Sequence, residues 1–67
     1  MSGRYWIFPL GASGSAAAFD PPIGATDSLA FAEATAFFAA QYYRVSVWVL
    51  DTTTNSWVSR GEPLRLP

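Results

Sequence analysis

The chain has no cysteine, no histidine and no lysine. Without cysteine there are no disulfide staples and no thiolate metal sites. Without histidine there is no imidazole ligand, nor the side chain that ordinarily titrates near neutral pH. Without lysine, four arginines stand against five acids at a formal net charge of −1, so the clustered cationic surface that holds phosphate backbones is missing. Long apolar runs are also lacking: no stretch approaches the ~20 residues that span a bilayer. Arg4, the apolar run 5–10 and the small-residue segment 12–18 loosely resemble a leader peptide, but the run is short and interrupted by Pro9. Absence of cysteine fits cytosol, virion or secreted fluid equally and leaves the compartment open.

These absences narrow the chemistry. Proton transfer would fall to Asp20, Asp27, Glu33, Asp51 and Glu62. Asp27 reads as a helix cap, Asp51 as a turn residue and Glu33 as the solubilising charge of a helix, so three of the five have structural duties. No two acids have the alternating spacing of a calcium loop, so no metal or cofactor is expected. The segment GASGSA is glycine-rich but lacks the lysine of a phosphate loop, and the next helix begins about fifteen residues too late to meet a phosphate there. No catalytic residue is assigned, and the chain reads as a non-enzyme.

What is present is grease. Half the residues are apolar (51%), with five Phe, three Trp and three Tyr, the reverse of a disordered composition. Sixty-seven residues make one domain with a thin core, since a chain this small hides only roughly 60% of its unfolded surface. With disulfides and thiolate or imidazole metal sites excluded, the expected staple is a partner subunit.

The pattern predicts strand, helix, strand, strand: a single α+β domain with one helix packed on a three-stranded sheet and a C-terminal hairpin. The first strand is placed at 4–10 and a long connection at 11–26. The helix is placed at 27–42, the hairpin at 43–60 and a C-terminal arm at 61–67. A crossover between the first two strands would make them parallel neighbours, while antiparallel pairing with the third strand is the alternative.

The helix, DSLAFAEATAFFAAQY, has Glu33 as its only charge after Asp27. At ~100° per residue, Phe31, Ala34, Phe38 and Tyr42 share one stripe, expected to face the sheet. Leu29, Ala32, Ala36, Ala39 and Ala40 lie opposite, an outward face of small residues suited to close helix–helix contact. In the hairpin, Asp51 should face Ser56, with Asn55 in the left-handed conformation. Leu50 would then oppose Trp57, Val49 would oppose Val58 and Trp48 would oppose Ser59. That register puts valines on one face and Trp48, Leu50 and Trp57 on the other, where a half-buried sheet normally has one polar face. One helix covers one face only.

These readings converge on a non-catalytic assembly or interaction protein, self-associating or an accessory subunit of a larger particle such as a virion or multi-subunit complex. The expected partner is protein, as a homo-oligomer or within a larger assembly. Expected contacts are Leu29, Ala32, Ala36, Ala39 and Ala40 on the helix, Trp48, Leu50 and Trp57 on the hairpin, and Leu64 and Leu66 on the arm. Nucleic acid, small-molecule substrates and a membrane span are not expected. The alternative is a small binding module for single-stranded nucleic acid or carbohydrate, using Trp48, Trp57, Tyr43 and Arg44 as a stacking surface.

Overall fold

The structure, a computed structural model, describes residues 3–9 and 22–65. The fold is α+β: one helix packed on a four-stranded antiparallel sheet. The elements are β1 (Tyr5–Pro9), β2 (Gly24–Thr26), α1 (Leu29–Tyr43), β3 (Val47–Asp51) and β4 (Ser56–Gly61), with sheet order β2-β1-β3-β4. Leu10, which the sequence places in the first strand, lies outside the described residues, as does most of the long connection.

The fourth strand is the first departure from expectation. Gly24, Ala25 and Thr26 pair with Ile7, Trp6 and Tyr5, and the Ile23 amide extends the ladder to the Ile7 carbonyl at 2.8 Å. Three small residues carry no alternation of their own, so backbone pairing with β1 creates this strand. β1 also pairs antiparallel with β3, Ile7 opposite Val49 and Tyr5 opposite Asp51. It is therefore not a parallel neighbour of β3. Because β2 and β3 both run antiparallel to β1, they are parallel to each other, and α1 is the crossover that joins them around β1.

The helix starts later than the sequence suggests. Ser28 is the N-cap, its Oγ accepting the Phe31 amide at 3.1 Å, while Thr26 Oγ1 accepts the Ser28 amide. Asp27 instead accepts the Arg4 backbone amide at 2.9 Å and fixes the start of β1 to the start of the helix. The helix runs through Tyr43 and stops at Arg44, whose left-handed conformation (φ 61°) turns its amide back to the Ala40 carbonyl. Tyr43 and Arg44 thus belong to the helix end, and β3 begins only at Val47.

The hairpin keeps its expected turn: Asp51 faces Ser56, Leu50 faces Trp57, and Asn55 is left-handed at φ 56°. Beyond that the expected pairing fails. Val49 faces Ser59 and Trp48 faces Arg60, so Val58 is the extra residue of a β-bulge. The bulge brings Ser59, rather than Val58, onto the helix side, where its hydroxyl meets Glu33 Oε2 at 3.4 Å.

The helix also has the opposite rotation to the one expected. Ala32, Ala36 and Ala40 are fully buried with Ile7, Val47 and Val49, and these six form the core. Sterics decide the matter. A Cβ built on Gly61 would lie 2.5 Å from the Ala36 carbonyl oxygen and 2.6 Å from its carbon. The helix backbone rests directly on β4, and only small side chains fit at that approach. The phenylalanine stripe is left outside, with Phe31 63%, Phe38 69% and Tyr42 80% exposed. Outward placement of Ala32, Ala36 and Ala40 is overturned, and a bulky or charged group at Ala36 would disrupt the fold itself.

A polar clamp closes the far end of the sheet. The Arg4 guanidinium donates to both Asp51 carboxylate oxygens, Nε to Oδ1 at 2.9 Å and Nη2 to Oδ2 at 2.8 Å. The Thr53 amide adds a further donor to Oδ1. The Arg4 carbonyl accepts from the Thr52 amide at 2.9 Å and hydroxyl at 2.6 Å. Asp51 is buried. Hydrogen bonding from Arg4 holds its carboxyl at about 2, below the ordinary 3.8, against the opposing effect of burial and with help from the Thr53 amide and the Arg4 charge.

Two outcomes follow. Gly61→Ala should cost about 1–3 kcal/mol in urea unfolding, because the helix must lift from β4. Gly24→Ala, whose Cβ would meet only Ile7 Cδ1 at 3.7 Å, should change stability by about 0.5 kcal/mol or less. Equal effects at the two sites would refute the close-approach account. A carboxyl depressed by folding stabilises the folded state above its unfolded pKa and loses that contribution as pH falls through its folded value. Stability of the native chain should therefore drop between about pH 4 and pH 2. Arg4→Met should be less stable at neutral pH and show a flatter profile across this window, and parallel profiles would remove the clamp from the account.

Candidate functional site

The outward side of α1 is an aromatic surface. Phe31, Phe38 and Tyr42 lie along it, with Phe38 edge-on to Phe37 at 5.6 Å and Tyr42 edge-on to Tyr43 at 4.8 Å. Together with Ile23, just before β2, they border an open groove of about 470 Å³ whose floor includes Ala34, Thr35 and Ala39. Glu33, the helix's one charge, does not line this groove; it is engaged with Ser59 of β4. At roughly 200 Å² per large side chain, the exposed fractions of Ile23, Phe31, Phe37, Phe38, Tyr42 and Tyr43 amount to roughly 700 Å² of apolar surface. The largest patch on a typical monomer is about 300–600 Å². Covering Phe31, Phe38 and Tyr42 alone would remove roughly 400 Å² from water, worth about 10 kcal/mol gross at ~25 cal/mol per Å². Association costs of about 4–15 kcal/mol would offset most of that.

The second surface is the sheet face turned away from α1. Trp6, Phe8, Trp48, Leu50 and Trp57 share it by register. Their rings interlock: Trp6–Phe8 at 6.4 Å, Phe8–Trp57 at 5.9 Å and Trp48–Trp57 at 5.8 Å. The Trp6 indole donates to the Gly3 carbonyl at 2.9 Å. The Arg60 guanidinium lies 4.9 Å above Trp48 and also pairs with Glu62 at 2.6 Å. The two contacts of Trp57 are edge-on and its ring stays exposed, whereas the Arg60 guanidinium sits over Trp48.

The residues expected at a partner interface are divided by this geometry. Ala32, Ala36 and Ala40 are in the core. Ala39 is half-buried on the groove floor, and Leu29 is exposed in the first turn. Trp48 and Leu50 are half-buried and Trp57 is exposed, all on the tryptophan face. Leu64 is exposed, but its backbone is docked: its amide donates to Gln41 Oε1 at 2.8 Å, while Gln41 Nε2 donates to the Glu62 carbonyl. Leu66 lies outside the described residues. Tyr43 and Arg44, grouped with the two tryptophans in the stacking alternative, stand at the helix end rather than on the sheet. Phe31, Phe38 and Tyr42, expected to face the sheet, are the most exposed aromatics among the described residues. The signal that would have placed them is the alanine triplet at four-residue spacing, matched to Gly61 in the last strand.

Among the described residues no three acids gather into a potential metal cluster, and no helix is long and apolar enough to cross a membrane. No protein-family model, curated protein or solved structure matches the chain.

Proposed function

We propose that this is a non-catalytic interaction protein that works by docking another polypeptide on the aromatic face of α1. The observation that carries the reading is the roughly 700 Å² of apolar surface around Phe31, Phe38 and Tyr42, left in water by a helix whose alanine face is spent on the core. A face that size, free of charge along its groove, matches one side of a standard protein–protein interface at about 800 Å². Particle assembly and accessory-subunit roles both fit this reading.

The tryptophan face gives the alternative of a stacking site for single strands or sugars less support. A stacking platform needs open ring faces and cationic tracking of the ligand. Here the Arg60 guanidinium occupies a face of Trp48, and its charge is met by Glu62.

The two readings separate by mutation. Material isolated from its native source should carry bound protein, its own or another, by native mass spectrometry. Phe31→Ser with Phe38→Ser should strip that protein away while far-UV circular dichroism stays unchanged. Trp57→Ala should leave the complex intact. A bare monomer at high micromolar concentration, or a complex lost with Trp57→Ala and retained in the phenylalanine variant, would contradict the proposal.

A further inference from the structure

Taking the aromatic face as a docking surface, an assumption this inference shares with the proposed function, we infer that its occupant is a second copy of the chain, laid antiparallel across a two-fold axis. Area is the first argument. The groove-lining Ile23, Phe31, Phe38, Tyr42 and Tyr43 would bury roughly 1,200 Å² between two copies, at the lower edge of the ~1,200–2,000 Å² of a stable specific complex.

Self-complementarity is the second. In an isologous dimer the same patch must fit itself. With the axis level with the point between positions 36 and 37, Phe31 of one helix meets Tyr42 of the other and Phe38 meets Thr35. Each of these residues borders the groove. The large rings at Phe38 fall over small side chains at the centre, and the aromatic pairs fall at the two ends, where edge-to-face contact is favourable.

The third argument is electrostatic. The helix has no acid in its first turn and no base in its last, its nearest charges being Asp27 just before the N-cap and Arg44 at the C-cap. Antiparallel pairing sets each positive end beside the other copy's negative end. It also brings Arg44, at the C-cap of one copy, to the end of the pair where Asp27 of the other copy precedes its helix. Both residues are exposed, and neither makes a salt bridge among the described residues. Glu33 points to β4, so no charge on the face has to be stripped of water.

Sedimentation velocity from low to high micromolar concentration tests the inference on the full chain. A monomer–dimer equilibrium is expected, and Phe38→Arg should weaken it by about 30-fold or more, the effect of a central anchor residue. Tyr42→Arg, at a still more exposed position, is the companion variant should Phe38→Arg not fold. The absence of native cysteine makes orientation directly readable. A mixture of Phe31→Cys and Tyr42→Cys chains should form a mixed disulfide under mild oxidation, and Phe31→Cys alone should not. A monomer at every concentration, a dimer unaffected by both arginine variants, or self-linking of Phe31→Cys would each overturn the inference. If the monomer instead holds a different protein that Phe38→Arg releases, the second copy is refuted and the docking function stands.

Discussion

The contact between the Ala36 backbone and Gly61 governs this molecule. A strand residue with no side chain lets the helix settle onto β4, and that spacing admits only Ala32, Ala36 and Ala40 beneath the helix. The core that results is thin: three alanine methyls against Ile7, Val47 and Val49. A helix can turn only one face inward, so a decision made by sterics at the core determines what the exterior displays. The exterior here is phenylalanine and tyrosine.

Hydrophobicity alone cannot make that decision. Amphipathic helices announce their inner face by contrast with a polar one. In α1 both faces are apolar, so that contrast is missing. The aromatic face has the larger transfer energy and would be the natural choice for a roomy core. Close packing overrides it, because interiors tolerate neither clash nor void. The polar groups that remain hold the ends: Asp51 and Arg4 join β1 to the hairpin, and Gln41 and Glu62 fix the arm beside the helix.

This explains which features were legible in the sequence. The hairpin turn was, because Asn55 and Asp51 act through local backbone chemistry that does not depend on the rest of the fold. The α+β class and the strand-helix-strand-strand core followed from periodicity. The bulge at Val58 was not legible, since an alternating pattern gives no sign of an extra residue. β2 was hidden because Gly-Ala-Thr has no strand character away from β1. The helix rotation is not legible because periodicity defines a stripe without saying which of two apolar stripes turns inward, and Ala32, Ala36 and Ala40 go to the core instead of the outer face. The underlying conclusion, more apolar exterior than one small domain hides, does not depend on which helix face is outside.

The central claim is the orientation of α1 on the sheet, and side-chain NOEs measure it most directly, whether or not the chain associates. The account expects contacts from the Ala36 and Ala40 methyls to Val47, Val49 and Ile7 within one chain, with none from the Phe38 ring to those side chains. Strong NOEs from Phe31 and Phe38 into the valines, with the alanine methyls open to water, would contradict it.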